Sequence, residues 1–250
     1  MQPQTKASEL IKWINAFEKS RERDEFTRTA IFRDIATLQK VEPAIAAACR
    51  GIMAATAQDE QESRNQFKIA RRLLPHDWWI ESSNAKALHN LGYISEARAI
   101  ARAIYDANSS DLDVLDNLIY FTVHSGRVLE AEQLLKRRTK LKPKGEHPDG
   151  NGIAEFSAFY RKHKLHDDDV EALLNLTTNV LHEAGFNAYR KNLDVRRDGE
   201  SEWLSGLLKV AAPVDTIVEL NTELAESLAV SKVAPEIANL VNFMFVPLSD

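Results

Sequence analysis

With one cysteine in 250 residues, the chain cannot form an intrachain disulfide. Cys49 stands in an alanine-rich helical stretch and reads as a small buried hydrophobe, which suits a reducing compartment. Glycine and proline are scarce, nine and eight, and thinly spread, so long low-complexity or disordered stretches are not expected. Long apolar runs are missing too. The longest charge-free run near the C-terminus, Ile237 to Ser249, has 13 residues and is broken by Pro247, whereas a membrane-spanning helix needs about 20. Lys6, Glu9 and Lys12 interrupt the stretch where a signal peptide would carry its apolar core. The expectation is a cytoplasmic protein with no membrane partner.

Catalytic signatures are equally thin. There is no GxGxxG or GxxxxGK[ST] loop to cradle phosphate, no GxSxG elbow to expose a serine, and no HExxH pair to hold zinc. His163, His166 and the run Asp167, Asp168, Asp169 lie close in sequence, with His147 upstream. Their spacing straddles a helix end, so the aspartates read as a solvated helix start at the favourable end of the dipole. No catalytic, metal-binding or cofactor-binding residue is assigned. An enzyme with an unrecognised site in the C-terminal part stays as an alternative. The net charge of −5 opposes binding of the whole molecule to polyanions.

What the chain does have is an internal repeat. Shifted by 34 residues, the sequence aligns Glu62, Glu96 and Glu130, each followed by a small residue: Ser63, Ala97 and Ala131. The same shift pairs Asp77 with Asp111 and Gly92 with Gly126, and two shifts pair Pro75 with Pro143. Each unit reads as two helices joined by a short turn. In the second unit Asp77 caps a helix from Trp78 to Leu91, Gly92 ends it, and Ser95 caps a helix from Glu96 to Ala107. Upstream, Ser8 with Leu10, Ile11, Ile14 and Phe17, and Asp24 with Phe26, Ile31, Ile35 and Leu38, mark two amphipathic helices that make a fourth, degenerate hairpin.

The pattern resembles the tetratricopeptide repeat family over about 100 residues, in units 43–76, 77–110 and 111–144. The likeness rests on Gly51 and Ala85 in the first helices, Ser63, Ala97 and Ala131 in the second, and the terminal Pro75 and Pro143. Phe67, Ala101 and Leu135 would fill the space beside them. Ile119 and Ser109 depart from the pattern. The resemblance implies an α-solenoid of antiparallel helix pairs whose concave groove takes a protein or peptide partner. Ile45, Ile52, Trp79, Ser82, Lys86, His89, Asn90, Asp116, Tyr120 and His124 would face that groove, with Trp79 and Tyr120 as anchors. Of the adjacent Trp78 and Trp79, one is expected in the core. Members that clamp a C-terminal carboxylate carry Lys and Asn where Ala48, Ile52 and Thr56 stand here, so an apolar helix or extended peptide is the better ligand.

The segment Lys142 to Gly152 breaks the register, which sets domain bounds of 1–145, a linker 146–152, and 153–250. The last region reads as a helix from Ile153 to His163, a helix from Asp167 carrying Val170, Leu173, Leu174 and Val180, and a hairpin of 188–197 and 203–211 about Asp198 and Gly199. A helix after Pro213 and a strand from Phe243 to Val246 follow. That order predicts a small α+β domain, ferredoxin-like without its first strand.

Lys136, Arg137, Arg138, Lys140, Lys142 and Lys144 put six cations in nine residues, and Arg190, Lys191, Arg196 and Arg197 make a second cluster. These define the alternative of a nucleic-acid-associated regulator. Residues 200–250 hold eight acids and two bases, so pairing within the chain is the competing use. Self-association is compatible with either role.

Overall fold

The computed structural model describes residues 6–19, 24–143, 145–199 and 201–248. It is a helical chain that ends in a small α+β part: twelve helices among the described residues, with a three-stranded mixed sheet at the C-terminal end. The chain divides into two compact units, residues 1–91 and 92–249. The division falls in the turn inside the second sequence repeat, and the segment 146–152 lies within the second unit.

The first unit holds α1 (Lys6–Lys19), α2 (Glu25–Leu38), α3 (Pro43–Thr56), α4 (Glu60–Leu73) and α5 (Trp78–Asn90). Its helices start where short acceptors stand. Asp24, Asp59 and Asp77 accept hydrogen bonds from the backbone N–H groups of Thr27, Glu62 and Ile80, and Pro43 opens α3 at a position where its missing N–H costs nothing. Helix α3 is buried nearly all round by Ala46, Ala47, Ala48, Cys49, Ile52, Met53 and Ala55. On α2 the buried stripe is Ile31, Ile35 and Leu38. Phe26, expected with them, is 85% exposed: five residues before Ile31 places it well off the stripe.

The second unit holds α6 (Ile94–Ala107), α7 (Leu112–His124), α8 (Val128–Leu141), α9 (Gly150–His163), α10 (Asp167–Glu183), α11 (Val214–Val230) and α12 (Pro235–Leu240). Its strands are β1 (Ala188–Asp198), β2 (Ser201–Val210) and β3 (Val241–Pro247). Helices α6 to α9 pack consecutively, and the buried Tyr160 hydroxyl of α9 donates to the Gly126 carbonyl in the α7–α8 turn at 2.8 Å.

Helices α4, α6 and α8 begin at Glu60, Ile94 and Val128, 34 residues apart each time. The backbone repeats with the same period. Gln58, Gly92 and Gly126 take positive φ of 62°, 90° and 84° in the three turns that lead into these helices. Glycine is suited to that conformation, and Gln58 adopts it without being glycine. Ser63, Ala85, Ala97 and Ala131 are all buried, as their small size at close helix approaches requires.

In the sheet β2 is central, antiparallel to β1 and parallel to β3. Leu204, Leu208, Val210, Val241, Phe243 and Phe245 are buried, while Asn242 and Met244 alternate outward. The strands fall within two residues of their predicted bounds. Helix α12 has no counterpart in the sequence reading: with only six residues and no buried side chain it carries no periodic signal.

Candidate partner-binding surfaces

In the first unit the packing of α1 and α2 leaves a cleft of about 710 Å³. Both helices turn apolar stripes inward: Leu10, Ile14 and Phe17 from α1, Ile31, Ile35 and Leu38 from α2. At the cleft the stripes part. Leu10, Trp13, Leu38 and Val41 line it together with Glu9, Asp34 and Lys40. Trp13 and Val41 remain 38% and 73% exposed. The mixture of apolar area and a few charges suits an apolar side chain or a helix face, and it offers no polar cage for a small charged ligand. Sequence reading found both helices but not the cleft, because a gap depends on how two stripes meet and not on either stripe alone.

The residues expected along a groove are differently placed. In the first unit Ile52 is buried in the core, Ile45, Trp79, Ser82, His89 and Asn90 are half-buried, and Lys86 donates to Asn15 Oδ1 of α1 at 3.0 Å. That bond ties α5 to α1 at one point. Neither tryptophan is core: Ile80 occupies the interior, Trp79 is half-buried, and Trp78 is 52% exposed. Leu73 and Leu74 are exposed as well.

In the second unit Asp116, Tyr120 and His124 share one face of α7, each a turn apart. Asp116 receives the Arg138 guanidinium at 2.7 and 3.2 Å, and the buried His147 ring lies 3.9 Å away. Arg138 also donates to the Gly145 carbonyl, and the Asp149 N–H donates to His147 Nδ1. The loop before α9 is thus bound to this face of α7. Tyr120 packs against His124 with ring centroids 4.3 Å apart, and burial, then the Asp149 charge, raises its hydroxyl pKa.

Five residues of the basic clusters have partners within the fold. Lys136 pairs with Glu132 at 2.9 Å, Arg137 lies over the Tyr105 ring at 5.2 Å, and Arg138 is buried on Asp116. Lys140 and Lys142 are exposed. Arg196 pairs with Asp194 at 3.1 Å, and Arg197 with Glu155 at 3.1 Å and Glu202 at 3.5 Å. Lys144 and the side chains of Arg190 and Lys191 lie outside the described residues.

The aspartate run has a use that the sequence did not disclose. Asp167 accepts the backbone N–H groups of Leu129 and Glu130, both at 2.9 Å, and so caps α8 rather than its own helix. Burial raises the Asp167 pKa despite those two donors. One turn further, Glu171 receives Arg98 at 2.9 Å and Arg127 at 2.9 Å, plus the Ser95 hydroxyl at 2.8 Å. Burial opposes ionisation of Glu171, but the Ser95, Arg127 and Arg98 contacts outweigh it and lower its pKa. Ser95 therefore serves α10 and does not cap α6, whose N-cap Tyr93 makes no side-chain cap bond. His163 contacts Glu202 at 2.8 Å, which fixes α9 to β2. Among the described residues no group of three or more His, Cys, Asp or Glu side chains is arranged to hold a metal ion, and no helix is long and apolar enough to cross a membrane.

No protein-family model matches the chain, and no curated protein or solved structure matches it.

Proposed function

We propose that the helical hairpins are tetratricopeptide-like and that the protein is an adaptor or chaperone-like protein that holds an amphipathic helix or extended apolar segment of a partner protein. The observation that carries the binding role is the α1–α2 cleft, with Trp13 and Val41 exposed beside Leu10 and Leu38. Its volume lies in the range of binding pockets. A partner helix laid there would cover apolar side chains that now face water, with Trp13 as the kind of anchor that dominates interface energetics. The repeat reading is supported by the 34-residue spacing of α4, α6 and α8 and of the left-handed turn residues before them. The order α10-β1-β2-α11-β3, with the short α12 inserted before β3, supports the reading of the C-terminal part as ferredoxin-like without a first strand.

Within this proposal the half-buried Trp79, Ser82, His89 and Asn90 form a secondary contact surface. The partner surface needs no catalytic group and no cofactor. The nucleic-acid reading has less support, since Lys136, Arg138, Arg196 and Arg197 each have a carboxylate within salt-bridge distance. Affinity capture from the source cell with wild type, Trp13→Ala and Trp79→Ala tests the role. Loss of the captured protein with Trp13→Ala supports the cleft; unchanged capture by both variants removes the basis for it.

A further inference from the structure

The two edges of the sheet are finished differently. On β3 the Phe245 N–H donates to Asn221 Oδ1, and Asn221 Nδ2 donates to the Phe245 carbonyl, both at 2.9 Å. The amide of an α11 side chain thus takes the place of a neighbouring strand at that edge. β1 forms the other edge and is 11 residues long. Among the described residues it makes no backbone hydrogen bond on the side away from β2. A bare edge of that length is a template for another strand.

We propose that β1 pairs antiparallel with β1 of a second copy of this chain about a two-fold axis at Val195, joining two three-stranded sheets into one of six strands. The register follows from charge together with the bulge at the start of β1. An axis perpendicular to the sheet keeps like faces together, so only registers centred on a residue need comparison. Centred on Val195, Asp194 stands opposite the second copy's Arg196, and Arg196 opposite its Asp194. Centring on Asp194 sets aspartate against aspartate. Centring on Arg196 sets arginine against arginine and Asp194 against Asp198. Centring on Arg197 sets arginine against arginine, and centring on Leu193 sets Arg196 opposite position 190. Centring on Asn192 would set Asp194 opposite position 190, but it takes the bulge between Ala188 and Arg190 into the ladder, whereas the Val195 register pairs residues 192–198 clear of it. Opposite charges in cross-strand positions favour pairing and like charges oppose it.

The side chains that decide this register are available. Asp194 and Arg196 are exposed and lie 3.1 Å apart, while Val195 between them is buried on the opposite face. In the paired form the two ion pairs become a ring of four alternating charges. Because Asn221 occupies the β3 edge at Phe245, pairing stops at two copies, and the product is a closed dimer and not a filament.

Sedimentation equilibrium of the full chain over the micromolar range tests this. Wild type is expected to dimerise reversibly. Asp194→Arg and Arg196→Asp should each weaken association at least about tenfold, since each sets two like-charged pairs face to face. The double variant, which exchanges the two charges, should restore it. Asp194→Asn, with nearly the same shape, should weaken association by a smaller factor and provides the comparison if a reversal fails to fold. A wild type that stays monomeric, a dimer indifferent to both the reversals and Asp194→Asn, or a folded double variant no stronger than the single ones would overturn the proposal.

Discussion

Gly51 of α3 stands so close to Phe67 of α4 that a Cβ on the glycine would lie 2.7 Å from two carbons of the ring. This contact sets the spacing of the α3–α4 pair, since Phe67 is buried and its ring fills the room that the absent side chain leaves. Gly51→Ala is therefore expected to destabilise the first unit by about 1–3 kcal/mol through overpacking, despite alanine's better helix propensity. Urea denaturation followed by far-UV circular dichroism measures it; an unchanged or raised midpoint would show that the helices can move apart freely.

Glu171 holds α10 to the N-terminal ends of α6 and α8 through Arg98, Arg127 and Ser95. Glu171→Ala takes one carboxylate from two partly buried guanidinium groups, and a loss of about 2 kcal/mol is expected, below that of a fully buried pair because both arginines touch water and both still pair with Glu130. Hydrogen exchange should quicken along α10 before it does in α3. Uniform change in both units would argue against a local role.

Lys162 and His163 hold the Glu202 pKa down to about 2, from an ordinary value of 4.5. A depressed carboxylate contributes stability that is fully present above its unfolded pKa and is lost as the pH falls through its folded one. Wild type should therefore exceed Glu202→Gln in thermal stability above about pH 4.5, and the gap should close as the pH approaches 2. Melting curves of both proteins across that window measure the gap, and a difference independent of pH would assign the effect to packing instead of charge.

Burial pushes the Cys49 thiol up to about 12. Thiol reagents attack the thiolate, so the native protein should stay unmodified at pH 8 and react stoichiometrically once unfolded in denaturant. Rapid native labelling would mean that α3 opens far more often than its burial implies.

Local features were legible in the sequence because neighbouring residues cause them. The aspartates at 24, 77 and 111 cap helices as their spacing indicated, and Gly92 and Gly126 take the left-handed turns assigned to them. Ser63, Ala97 and Ala131 recur because each lies where a helix approaches closely. What the sequence hid depends on distant partners. Ser95 looks like a cap, but Glu171 lies 76 residues away and accepts its hydroxyl hydrogen bond. Asp167 looks like the start of its own helix, yet it caps α8, whose N-terminus only the fold brings near. Asp116 looks available to a ligand, but Arg138 engages it and in turn holds the loop before α9. The α1–α2 cleft belongs to the same class, since it exists only where two separate stripes fail to meet.

The most direct test of the adaptor proposal is capture of a partner from the source cell at stepwise higher salt, with wild type, Trp13→Ala, and a combined Lys136→Ala, Arg137→Ala, Lys140→Ala variant. An apolar cleft predicts one discrete partner that survives high salt, is lost with Trp13→Ala and is kept by the combined variant. Binding that falls steeply with salt, disappears with the combined variant and ignores Trp13 would contradict it and point to phosphate recognition instead.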